Sequence, residues 1–188
     1  MLINNDTIIK DNNPLIREKS LPVSLPLSEE DQQILRDMLK YVEDSTDEEI
    51  AERENLRPAV GISAIQIGIP KQLTAIVVND YDQDGNEISY KYMLANPKIV
   101  SSSVQKAYLK GGEGCLSVEK EHEGFVVRSA RVTVTAYDLL SNKNVKLRLR
   151  GYLAIVFQHE IDHFSGTLFY DKINKKDPFH RIKDAIEI

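Results

Sequence analysis

The stretch from Gly151 to Phe164, Gly-Tyr-Leu-Ala-Ile-Val-Phe-Gln-His-Glu-Ile-Asp-His-Phe, sets the strongest limit on how this 188-residue chain folds. At about 100° per residue it reads as a helix that is apolar on most sides. Tyr152, Ile155, Val156, His159 and His163 share one face. Leu153, Phe157, Ile161 and Phe164 cover much of the opposite side, and Gln158 and Asp162 form a polar strip away from the first face. Such a helix belongs in the interior, and Gly166 marks its end. The same residues spell His159-Glu160-Ile161-Asp162-His163. Two histidines at i and i+4 lie about one turn apart on one face, which suits two neighbouring positions on one metal ion. Glu160 points beside that face, within reach of a water in the same place.

The rest of the chain supplies what surrounds this helix. Residues 1–27 read as an irregular arm broken by Pro14, Pro22 and Pro26. Ser28 followed by Glu29, Glu30 and Asp31 reads as a helix start, and Ile34, Leu35, Met38, Leu39 and Val42 keep helical spacing to about Glu43. Thr46-Asp47-Glu48-Glu49 opens a short second helix ending near Asn55, and Arg57-Pro58 breaks it. Strands are expected at Leu73–Val78, Ile88–Leu94, Lys98–Val100, Val104–Leu109, Phe125–Val127, Val132–Tyr137 and Val145–Leu149. Turns are expected over 80–86, at Pro97 and over 141–144. Helices, then many strands, then one buried helix give an α+β fold, with antiparallel or mixed sheets around a central metal-binding helix. The length suits one domain spanning 1–188.

No apolar stretch approaches the roughly 20 residues of a membrane span. The start, Met1 to Asp6, has no basic segment followed by an apolar run, so a cytoplasmic location is expected. The net charge of −5 leaves no basic excess for nonspecific nucleic-acid binding. Cys115, the chain's one cysteine, has no intrachain disulfide partner. It lies in Glu113-Gly114-Cys115-Leu116-Ser117. As a third ligand beside His159 and His163 its thiolate leaves one tetrahedral position open, the mark of a catalytic rather than a structural site. As a small buried hydrophobe it binds nothing. Ala59-Val60-Gly61-Ile62-Ser63-Ala64-Ile65-Gln66 reads either as a tightly packed strand entry or as backbone that carries Gln66 to an oxyanion. A thiolate and two imidazoles accept Zn(II), Fe(II), Ni(II) or Co(II).

In order along the chain, Ala59–Gln66, Glu113–Ser117 and His159–His163 resemble the three motifs of the peptide deformylases. The second and third agree at every position. In the first, the family usually has Gly where this chain has Ala59, and Ala where it has Ser63. Asn13-Pro14-Leu15-Ile16-Arg17, Ala95-Asn96-Pro97 and Gly166 to Asp171 are similar as well. The helical insertion before Val60 and the short end, Asp184 to Ile188, resemble the longer subgroup typical of Gram-positive bacteria.

The resemblance implies removal of the formyl group from the N-terminal formyl-methionine of nascent chains, with Fe(II) as the physiological metal in many members. It implies Glu160 as general base, and an oxyanion held by the metal, the Gln66 amide and the Leu116 N–H. Val60 and Gly61, with Gly112 opposite, would take the substrate as an added strand. Tyr152, Ile155 and Val156 would line the methionine pocket, with core packing as the other reading of Ile155 and Val156. Glu113 would pair with Arg128 and hold the cysteine loop. A transient ribosome contact stays open, with no segment assigned to it. Three other readings remain: a zinc peptidase built on the same His-Glu-x-x-His, a relative that binds but does not turn over, and a buried helix without metal.

Overall fold

The computed structural model describes residues 1–81 and 84–188. The N-terminal arm makes one 3-10 turn, Pro14–Arg17, whose start is capped by the Asn13 side chain. The first helix, α1, runs Glu29–Asp44, with Ser28 Oγ accepting from the Asp31 N–H at 3.1 Å. The second, α2 (Glu48–Glu54), is capped by Asp47, which accepts from the Ile50 N–H at 3.0 Å, and it ends at Asn55 with φ 54°. Both helices therefore start where their side-chain oxygens satisfy free N–H groups.

Strands follow at Gly61–Ser63 (β1), Leu73–Tyr81 (β2), Glu87–Ser102 (β3), Lys106–Tyr108 (β4), Arg128–Ser129 (β5), Arg131–Asp138 (β6) and Lys143–Arg150 (β7). The buried helix, α3, covers Gly151–Asp162, and β8 is Ile186–Glu187. Five strands form an antiparallel sheet in the order β1-β2-β3-β6-β7. Three form a small mixed sheet, β5-β4-β8, in which β8 runs parallel to β4. Helix α3 packs against all five strands of the large sheet and against β4 and β5 of the small one. The α+β arrangement around a central helix is thus the one expected.

Four local expectations are corrected. The strands 88–94 and 98–100 are one strand, β3, that passes through Pro97. Its register with β6 shifts between Ala95 and Lys98, and Asn96 sits at φ 52°. A bulge tolerates a proline that a regular ladder would not. Residues 125–127 are not a strand, and pairing begins instead at Arg128. Gln158 is buried rather than part of a polar strip: its amide accepts from the Ser129 N–H and donates to the Ser129 carbonyl, both at 2.9 Å, so it continues β5 onto α3. Of the 141–144 loop, Lys143 and Asn144 already belong to β7. The turn expected over 80–86 includes residues 82 and 83, which lie outside the described residues.

The arm is tied to the far end of α3. That helix tightens into a 3-10 turn, His163–Ser165, which Gly166 closes at φ 68°. A Cβ at Gly166 would stand 2.1 Å from the Arg17 carbonyl oxygen, and Arg17 Nη1 donates to the Gly166 carbonyl at 3.1 Å. Both the backbone angle and the close approach require glycine. Gly166→Ala is therefore expected to lower the unfolding free energy by about 1–3 kcal/mol. Gly111→Ala, whose Cβ would meet nothing within 4 Å, is expected to change it by less than about 0.5 kcal/mol. Urea denaturation of both variants checks the difference.

Candidate metal centre and active site

Helix α3 brings His159 and His163 onto one face, as their spacing requires, with the rings 5.2 Å apart. The turn carrying Cys115, closed by the Val118 N–H on the Cys115 carbonyl at 3.1 Å, lies against them. Cys115 Sγ is 3.5 Å from His163 Nε2, and the three donor atoms fall within 4.8 Å of one another. Bonds of about 2.3 Å to sulfur and about 2.0–2.1 Å to nitrogen, at a tetrahedral angle, separate the two donors by about 3.5–3.6 Å. The donor set therefore fits one small transition-metal ion.

The imidazoles are prepared for that role in different ways. His159 Nδ1 lies 2.8 Å from Glu113 Oε2, so its proton sits there and Nε2 faces the thiol. Burial disfavours a charged His159, but Cys115 and Glu113 outweigh it and raise its pKa well above the ordinary imidazole value. The pocket thus favours positive charge at this point. His163 is 1% exposed, and burial, followed by the nearby His159 and Arg128, pushes its pKa well below the ordinary value. It is a neutral ring with a lone pair to give. Its Nδ1 has no partner among the described residues.

Glu113 and Arg128 form the expected pair, buried, with Arg128 Nη2 2.7 Å from Glu113 Oε2. Burial alone would raise the Glu113 carboxyl; hydrogen bonds from Arg128 and His159 overcome it and hold its pKa below the usual range. Arg128 Nη1 also donates to Asp162 at 2.9 Å, and Lys172 Nζ reaches Asp162 at 3.2 Å. One guanidinium therefore links the cysteine turn to α3.

Glu160 is buried, and its carboxylate meets β1. A Cβ at Gly61 would stand 2.6 Å from Glu160 Oε1, so any side chain there would push the carboxylate aside. Burial raises the Glu160 pKa above the usual carboxyl value, while His159 and a hydrogen bond from Ser63 pull the other way. Gln66 Oε1 accepts from the Ser63 N–H at 2.8 Å, which turns its NH₂ toward Cys115 Sγ (3.4 Å) and Ser117 Oγ (3.2 Å). Lys10 Nζ donates to the Leu116 carbonyl at 3.1 Å and pins that peptide.

A cavity of about 390 Å³ opens above these groups. Gln66, Leu116, Cys115, His159 and Glu160 line it, as do Val60, Gly61, Gly112, Ile155 and Val156, and Tyr152 stands at its mouth. Among the residues expected at the site, His163 alone is absent from the wall, because it lies beneath. Ile155 and Val156 are buried in core clusters and also face the cavity. Ala59 stays out of the positive-φ region, and its N–H donates to Ser45 Oγ at 3.1 Å. Reasoning from sequence missed Arg57 and Leu109 in the wall and the buried Ser63 beside Glu160. The departure of Ser63 from the family pattern was the available signal for the last of these.

An α+β protein with a buried Cys-His-His donor set under an open cavity, and a carboxylate beside it, has the build of a single-metal hydrolase. Comparison with known proteins narrows this. Residues 5–179 match the polypeptide deformylase family. A peptide deformylase of Staphylococcus epidermidis is 50% identical over 187 residues, covering 100% of both chains. The crystal structure of the Thermus thermophilus peptide deformylase has 29% identity and a TM-score of 0.70, covering 92% of this chain and 88% of that one. That of an Acinetobacter baumannii peptide deformylase bound to Met-Ala-Ser has 27% identity and a TM-score of 0.69, covering 92% of this chain and 100% of that one. The chain belongs to the polypeptide deformylase family.

If Glu113 sets the His159 tautomer, Glu113→Gln should weaken metal binding about 10- to 100-fold. Competition with a chromogenic chelator measures this, and far-UV circular dichroism confirms that the fold is kept.

Proposed function

We propose that Cys115, His159 and His163 hold one metal ion in this deformylase and that Glu160 moves the protons of its reaction, with residues 1–188 working as one catalytic domain. The reaction follows from the family: the N-formyl group is removed from the N-terminal formyl-methionine of newly made polypeptides and released as formate. The observation that carries the residue assignment is the convergence of a thiol, two imidazoles and a buried carboxylate at the floor of one cavity.

When bound, the metal acts as a Lewis acid that acidifies a water and polarises the formyl carbonyl. Fe(II) is the metal we propose for the cell; Zn(II), Ni(II) and Co(II) suit the same donors in purified protein. Glu160 accepts the proton of the attacking water as the new C–O bond forms. The same proton passes to the leaving amine as the C–N bond breaks, so Glu160 ends as it began. Leu116 is the second residue of its turn, a position whose N–H is not used by the turn itself. That N–H and the Gln66 NH₂ favour negative charge on the former carbonyl oxygen, each worth about 2.7–4 kcal/mol in comparable sites.

Among the described residues, strand β1 lies at the edge of its sheet, with only β2 beside it. The substrate backbone adds to the free edge at Val60 and Gly61, with Gly112 opposite. The binding of Met-Ala-Ser by the Acinetobacter relative supports a peptide in this cavity. Ile155 and Val156 form an apolar wall for the methionine side chain, and Tyr152, 38% exposed, flanks the entrance. No helix among the described residues is long and apolar enough to cross a membrane. A cytoplasmic location and nascent-chain substrates complete the proposal; a ribosome contact has no assigned surface.

Protein prepared anaerobically with Fe(II) is expected to release formate from formyl-Met-Ala-Ser and to leave unformylated Met-Ala-Ser intact. Glu160→Ala should lose about 10²- to 10⁴-fold in kcat while keeping its metal. Cleavage of unformylated peptides would point to a peptidase instead, and metal-loaded, folded protein without formate release would overturn the catalytic reading.

A further inference from the structure

Ser63 is fully buried at the end of β1, where an alanine would fill the space without a polar atom. Its Oγ lies 2.7 Å from Glu160 Oε2, 3.0 Å from the Glu160 carbonyl oxygen and 3.4 Å from Thr74 Oγ1. Thr74 gives its own proton to the Ile62 carbonyl at 2.9 Å. The single Ser63 proton thus has two acceptors on Glu160, and the carboxylate oxygen is the nearer of them. Among the described residues, Ser63 is the one side chain that donates to this carboxylate.

Gly61 and Ser63 are two apart on β1 and so face the same side of the strand. Gly61 leaves room for Oε1, and Ser63 grips Oε2. The carboxylate therefore sits in a slot built by one three-residue strand. The Ser63 N–H is also the group that turns the Gln66 amide. One residue meets both side chains that the reaction is expected to use.

We propose that Ser63 is a positioning residue for deformylation: its hydroxyl fixes the Glu160 carboxylate so that Oε1 is the oxygen that takes up and returns the proton. This rests on the reading of Glu160 as the proton carrier. Ser63→Ala keeps the Ser63 N–H and removes only the hydroxyl, so Gln66 stays in place while the carboxylate is freed to rotate.

The test measures kcat, KM and bound metal for Ser63→Ala, Ser63→Thr and Glu160→Gln in metal-loaded protein. The expected result for Ser63→Ala is a fall in kcat of about tenfold with KM and metal content unchanged, and recovery of most of that loss in Ser63→Thr, which restores the hydroxyl. If Ser63→Ala does not fold, Ser63→Cys, a weaker donor of similar size, should give the same fall in kcat. Full kcat in the variant lacking the hydroxyl would overturn the proposal, as would a parallel loss of metal or a rise in KM alone. If Glu160→Gln keeps its turnover, the underlying reading of Glu160 fails. If Glu160→Gln is inactive and Ser63→Ala is fully active, only the role of Ser63 fails.

Discussion

Helix α3 and the 3-10 turn that continues it place an amide, two imidazoles and two carboxylates in or near the interior, and nearly every other part of the site follows from the need to pair them. An unpaired polar group in a dry interior costs several kcal/mol. Each therefore takes a partner from outside the helix. Gln158 takes the backbone of Ser129, His159 takes Glu113, Glu160 takes Ser63, and Asp162 takes Arg128. His163 faces Cys115. The partners come from β1, β5 and the cysteine turn, so satisfying the helix fixes where both sheets and the turn must stand.

The Glu113–Arg128 pair illustrates what such burial is for. Removing two charges from water costs as much as their attraction returns, so the pair is a weak source of stability. Its value lies in geometry. Glu113 receives both Arg128 and His159, and Arg128 reaches on to Asp162. The loop that carries Cys115 and the helix that carries the histidines are therefore held at one spacing, to the accuracy that a metal ion demands.

Much of this was legible in the residues, for physical reasons that also explain what was not. The start of α1 could be read because Ser28 and the acids after it act locally. The burial of α3 could be read because apolar residues surround it on most sides. The donor set emerged from a fixed helical spacing and one cysteine in a motif. The continuity of β3 through Pro97 was hidden, because the bulge that admits a proline is a property of pairing with β6. The burial of Gln158 was hidden too, since periodicity shows which face a residue is on and not whether a strand edge waits there. Ser63 stood out only as a departure from pattern; its meaning depends on Glu160, 97 positions away in the chain.

The clasp between Arg17 and Gly166 joins residues 149 apart. During synthesis the arm emerges long before its seat on the helix end. The arm finds earlier partners in Asn55 and Gln66, but Arg17 lacks its seat until residue 166 has been added, only three and seven positions after the two histidines of the donor set.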